Sequence, residues 1–155
     1  MSILPDSISC KVLQKESPVE NVLIMAKFHT NYKNDHEVLS PLTNKGGLAI
    51  FSIGYIETNT ENTCNNFIMD YGTLSKCFAN KIDLEIMTPE NLNKCLGAYH
   101  MYGKDFYRKD FKKDLDKAIK AARIINYEEL FLSVEIMPKD LSIVLTIKSC
   151  AQQGR

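Results

Sequence analysis

The amino-acid sequence predicts an α+β fold, mainly β: an antiparallel β-sandwich with two helices inserted before a C-terminal hairpin. Three observations predict it. Short apolar runs with period-two alternation recur through the chain, most cleanly in residues 81–87, where Ile82, Leu84 and Ile86 alternate with Asp83 and Glu85. From residue 88 to about 125 the apolar spacing becomes helical. Then residues 130–137 and 141–148 alternate again around Pro138-Lys139-Asp140, a spacing that suits an antiparallel hairpin.

Residues 8–13, ISCKVL, read as a short strand, and the polar QKESPV after them as a turn in which Pro18 fixes φ. Residues 21–28, NVLIMAKF, read as a second strand with Val22, Ile24, Ala26 and Phe28 on one face. Residues 29–37, HTNYKNDHE, are polar and predict a loop or wide connection, with a short strand at Val38 and Leu39. The stretch TNKGG, residues 43–47, suits a turn that needs positive φ, which glycine supplies without a Cβ clash. It leads into a strand at 48–53 whose two faces are both mostly apolar, the pattern of a strand covered at least partly on both sides.

The Asn-rich residues 57–66 predict a loop or a mobile hairpin tip, and FIMDY, 67–71, a strand. Thr88 suits an N-cap, Pro89 the first helical position and Glu90 the positive end of the helix dipole. Leu92, Cys95, Leu96 and Tyr99 then repeat at helical spacing until Gly103. A longer amphipathic helix is predicted over 104–125, with Tyr107, Phe111, Leu115, Ala118, Ala122 and Ile125 as its stripe. Residues 1–155 read as one globular domain, with 150–155 a frayed tail.

Nineteen Lys and Arg balance nineteen Asp and Glu, so net charge gives no reason to expect a polyanion or an anionic membrane as partner. The start MSILPDSISCKV lacks the basic and apolar regions of a signal peptide, and no run approaches the roughly 18 apolar residues of a membrane span. Five scattered cysteines form no CxxC pair, which speaks for reduced thiols rather than a zinc ribbon or redox motif. These features predict a soluble, cytoplasmic protein with no cofactor and no metal. The 104–123 segment is locally basic, but Asp105, Asp110, Asp114 and Asp116 interleave with its lysines, as i to i+4 ion pairing requires, so nucleic acid is not the expected partner. The chain has no Trp, which weakens carbohydrate binding.

Two stretches within residues 9–53 resemble the start of a transthyretin-like (prealbumin-like) β-sandwich, of the kind found in carboxypeptidase regulatory-like domains. The first runs from Val12 through Ser17-Pro18-Val19 and Asn21-Val22 to Ile24 and Ala26, against the family pattern G-x-P-V-x-G-V-x-V. Ser17 and Asn21 replace its glycines, and Asn tolerates positive φ. The second, Thr43-Asn44-Lys45-Gly46-Gly47-Leu48-Ala49-Ile50-Phe51, is similar to T-D-x-x-G-x-x-x-F, with Asn44 where Asp is usual. The resemblance implies a domain that binds a partner or supports an adjoining enzyme. The enzymatic branch of the family, the hydroxyisourate hydrolases, carries catalytic histidines and a C-terminal Tyr-Arg-Gly-Ser. This chain reads LTIKSCAQQGR there, so the resemblance argues against that activity.

Candidate chemistry is sparse. His29, Asp35 and His36 could be imagined as a metal site, but their spacing matches no recognised ligand set and a solvated loop explains them. His100 suits a helix C-terminus, and Cys10, Cys95 and Cys150 suit packing; Cys64, in the Asn-rich loop, is the best candidate for an exposed thiol. Asp83 and Glu85 share a strand face and could serve acid–base work, or form the polar side of a half-solvated strand; Asp70 suits a turn. No GxSxG, Walker loop or GxGxxG occurs, and TNKGG precedes a strand rather than a helix, so it is no phosphate cradle.

The sequence therefore points to a non-enzymatic interaction module for one protein partner, for example an accessory or immunity-type protein. Its expected surface is the two polar loops 29–37 and 57–66, with Tyr32, Asp35, His36, Asn59 and Asn62 as partner-binding residues. The alternatives are a small hydrolase or isomerase using His36 with Asp35, or Cys64, and a homo-oligomeric scaffold joined through an exposed edge strand.

Overall fold

The computed structural model describes residues 5–30, 36–52, 79–102 and 110–148. In chain order these form β1 (Ser7–Gln14), β2 (Ser17–Pro18), β3 (Ile24–Thr30), β4 (His36–Leu39), β5 (Leu48–Ser52), β6 (Ala79–Ile86), helices α1 (Pro89–Tyr102) and α2 (Phe111–Ala121), β7 (Leu130–Met137) and β8 (Val144–Lys148). The mainly β, α+β class is as predicted. The expected loop 57–66 and strand 67–71 lie outside the described residues.

The strands form two sheets. In the first, β1 is central: β7 runs antiparallel along its whole length, while β5 and the short β2 share its other neighbours. In the second the order is β4-β3-β6-β8. Alternation sets the packing. Ile8, Cys10 and Val12 of β1, Ala49 and Phe51 of β5, and Leu130 and Leu132 of β7 join Ile24, Ala26 and Phe28 of β3, Val38 of β4, and Ile82, Leu84 and Ile86 of β6 in one buried cluster. The two sheets therefore contribute facing rows to a common apolar core, whose burial is the main stabilising term.

The second sheet also has an apolar outer patch. Leu23, Leu39 and Met87 pack there with Leu92 of α1 and Phe111, Leu115 and Ala118 of α2. Thr88 and Pro89 start α1 as expected: the Thr88 carbonyl accepts the Leu92 N–H at 2.8 Å, and its hydroxyl accepts the Asn91 N–H at 3.4 Å. The predicted stripe of α2 is buried at Phe111, Leu115 and Ala118, and Lys112 Nζ pairs with Asp116 at 2.9 Å, the i to i+4 pairing read from the sequence. The helix ends at Ala121, earlier than expected, and Ile125 leaves the stripe to pack on the core between the sheets.

Four sequence expectations need correction. The C-terminal hairpin does not form. β7 pairs with β1 in the first sheet, whereas β8 pairs with β6 in the second, and in parallel. Residues 138–143 step from one sheet to the other, bringing Ile143 and Leu145 onto the common core. This gives β6 a partner it would lack in a hairpin, and an unpaired strand edge is a liability. The sheets are for the same reason not wholly antiparallel. The strand at 48–53 is not covered on both sides: Ala49 and Phe51 are buried, but Leu48 and Ile50 are exposed by 38% and 47%. Both helices pack on the second sheet, where Leu23 and Met25 offer a second apolar face, and they leave these two side chains to solvent. Finally, residues 29–30 and 36–37 of the first predicted loop belong to β3 and β4, and its residues 31–35 lie outside the described residues.

The Gly-Gly turn has a specific geometry. The Asn44 carbonyl accepts the Gly47 N–H at 2.9 Å, and the Asn44 side-chain Oδ1 accepts the N–H groups of Gly46 at 2.9 Å and Leu48 at 3.0 Å. Gly47 has φ +76°, and a Cβ there would lie 2.5 Å from the Val12 carbonyl oxygen and 3.1 Å from Pro18 Cβ. Gly47 is thus the point where the chain enters β5 hard against β1 and β2, so both positive φ and the missing side chain are required. Just before it, Thr43 is buried. Its Oγ1 accepts the Val22 N–H at 3.0 Å and donates to the Val19 carbonyl at 2.8 Å. Ser40, also buried, accepts the Ile24 N–H through Oγ at 2.9 Å. These hydroxyls satisfy backbone groups that would otherwise be buried without partners. Asn21 takes φ +65°, a left-handed conformation that asparagine tolerates.

Candidate functional site

The helices cover only part of the outer face of the second sheet. The rest carries polar residues, because the strand register aligns their alternate positions. Lys27 pairs across to Glu37 and Asp83, His29 to Lys81, and Met25 to Glu85. On the far side Asp83 is opposite Thr146 and Glu85 opposite Lys148. The same alternation that sends Phe28 and Leu84 into the core sends His29, Asp83 and Glu85 outward.

The central contact is His29 Nε2 to Asp83 Oδ2, 2.7 Å, between side chains 31% and 25% exposed. The other Asp83 oxygen, Oδ1, is shielded from solvent, makes no hydrogen bond among the described residues, and lies 4.0 Å from Lys81 Nζ. Burial works to raise the Asp83 carboxyl. The His29 hydrogen bond and charge, the Lys81 charge and the nearby Thr146 hydroxyl outweigh it and hold the group below the usual carboxylate range. Glu85 Oε2 lies 3.9 Å from Lys148 Nζ. A cavity of about 30 Å³ beside Met25, Lys27, Asp83, Glu85 and Lys148 has room for a single water molecule. A carboxylate on one imidazole nitrogen can orient the ring.

Neither carboxylate needs a metal to balance its charge, since Lys81 and Lys148 stand beside them. Among the described residues no group of three or more His, Cys, Asp or Glu side chains is placed to hold a metal ion. The imagined metal set His29, Asp35 and His36 loses His29 Nε2 to Asp83. The His36 backbone pairs with Phe28 at the start of β4. Tyr32, Asp35, Asn59 and Asn62, with Cys64, Asp70 and Cys150, lie outside the described residues. Cys10 is buried in the main core, Cys95 packs in the helix cluster, and His100 sits exposed in the last turn of α1, its ring edge-on to Tyr99 at 6.1 Å. The His29–Asp83 contact joins two residues that sequence reasoning treated separately. Ending the second strand at Phe28 hid that His29 continues its outward row.

A second feature of different character lies on β7 and β8, each the end strand of its own sheet among the described residues. Phe131 and Met137 of β7 and Val144 and Ile147 of β8 are all substantially exposed, Phe131 by 63% and Val144 by 61%. Among the described residues β7 pairs only with β1, and β8 only with β6. No described helix is long and apolar enough to cross a membrane. Compared with protein-family models, with curated proteins and with solved structures, the chain finds no match.

Proposed function

We propose that this protein is a non-enzymatic binding module on a transthyretin-like β-sandwich, and that it engages an extended segment of a protein partner along β7 and β8. The observation that carries the reading is the set of large apolar side chains held in solvent on both of these outer strands. An outer strand offers a row of backbone donors and acceptors to a strand of the partner, and alternate apolar side chains supply specificity. The facing apolar rows of two sheets and the Thr43–Gly47 turn against β1 support the sandwich; the parallel β8 departs from a wholly antiparallel version. The residues Tyr32, Asp35, His36, Asn59 and Asn62 are proposed as further partner contacts.

The test is affinity capture from native lysate with wild-type protein and with a Phe131→Thr, Val144→Thr, Ile147→Thr variant as baits. Threonine keeps strand propensity while removing apolar surface. One protein retained stoichiometrically by the wild type and lost with the variant supports the reading. Equal retention by both, or retention of nothing, overturns it. Mass measurement of the bait over a concentration series separates this from self-association through the same strands.

A further inference from the structure

A separate site lies between the helices. The first turn of α1, the end of α2 and the residues just after it line a half-open cavity of about 210 Å³: Pro89, Leu92, Asn93, Ile119, Ala122 and Arg123. Its floor is apolar: Leu92 is buried, and Ile119 and Ala122 are half-buried parts of the helix cluster. Its rim is polar and cationic. Arg123 and Asn93 are exposed, and neither side chain makes an ion pair or hydrogen bond among the described residues. Glu90, in the same first turn of α1, is engaged by Lys94 at 3.5 Å and so leaves Arg123 uncompensated.

Volume, lining and charge together select a ligand class. A dry cavity of about 150 Å³ holds a benzene ring, so this one holds a ring, or a branched chain of similar size, plus a short tether. A guanidinium presents paired N–H donors that match a carboxylate. We propose that the interhelical cavity binds a small monocarboxylic acid with an apolar body. The body rests on Leu92, Ile119 and Ala122, and the carboxylate meets Arg123 with the Asn93 amide beside it. The site is independent of the β7–β8 surface.

The test uses 3-phenylpropionate, titrated into ¹⁵N-labelled protein and followed by two-dimensional NMR. The neutral isostere 3-phenylpropanamide is the control. The expected result is saturable shifts at residues 89–93 and 119–123, with a Kd of about millimolar, as suits a ligand of this size. Arg123→Gln, at an exposed position that leaves the fold intact, is expected to weaken the acid about 10-fold and to leave the amide unchanged. Ala122→Leu, which fills the cavity, is expected to abolish binding of both. Absence of saturable shifts, equal affinity for acid and amide in the wild type, or unaltered binding by Ala122→Leu would overturn the proposal.

Discussion

Replacing Gly47 by alanine tests the central architectural claim, that the entrance to β5 is pressed against β1 and β2. The added Cβ would lie 2.5 Å from the Val12 carbonyl oxygen, whereas ordinary contacts begin at 3.4 Å, so the backbone must move by most of an ångström. The Val12 peptide cannot move freely. Its N–H donates to the Gly47 carbonyl at 2.8 Å, and its carbonyl accepts the Val19 N–H at 3.0 Å. Holding alanine at φ +76° costs about 1–2 kcal/mol. Weakening the two hydrogen bonds adds about 0.5–1.5 kcal/mol each. The sum is about 2–5 kcal/mol, a large part of the roughly 5–15 kcal/mol that holds a domain folded. Equilibrium urea unfolding followed by circular dichroism should show the midpoint falling by about 1–2.5 M, taking a typical slope of about 2 kcal/mol per molar. Gly46→Ala is the internal control. Its Cβ would meet only Asn44 Oδ1, at 3.3 Å, and it should cost less than about 1 kcal/mol. If Gly47→Ala costs no more than Gly46→Ala, the packing argument for this turn is wrong.

Thr43→Val keeps shape but strips the hydroxyl that serves Val22 and Val19, and should destabilise by about 2–4 kcal/mol in the same assay, while Thr43→Ser recovers most of the loss. Asp83 titrates below the usual carboxylate range when folded, so its contribution is fully present above the unfolded value near pH 4 and is lost as pH falls through the lower folded value. Asp83→Asn should therefore lower stability by about 1–2 kcal/mol at neutral pH, and the gap to wild type should close in acid; a gap constant from pH 7 to pH 2 would contradict this. Gly97 lies inside α1, and a methyl group added there would meet only open space. Its replacement by alanine should gain about 0.5–1 kcal/mol, read as a higher urea midpoint. Glu16, at φ +73° in the two-residue β1–β2 turn, should yield a gain of up to about 1 kcal/mol on replacement by glycine, read in thermal unfolding.

Part of the site was legible and part was not. That Asp83 and Glu85 share a polar strand face follows from the alternation of residues 81–87 alone. That His29 meets Asp83 does not, because the two are 54 residues apart and the contact depends on the β3–β6 register. The exposure of Phe131 and Val144 was equally hidden. Both lie in apolar runs that resemble core strands, and only the register shows that Phe131, opposite Leu13, and Val144, opposite Lys81, fall in the outward rows of their sheets where no described helix covers them. The interhelical cavity needs the start of α1 and the end of α2 side by side, a pairing that neither helix's own pattern encodes.

The sequence by itself determined the elements: the alternation that forms β1, β3, β6 and β7, the Thr88-Pro89 start of α1, the buried stripe of α2, and a turn at Asn44–Gly47. Each is decided by residues within a few positions of one another, through side-chain period, capping and allowed φ. Only the tertiary structure decided that β7 and β8 part company. The six residues between them can fold back or cross over at similar local cost, and the choice falls to distant strands: β1 takes β7, β6 takes β8, and Ile143 and Leu145 close the core from the opposite sheet.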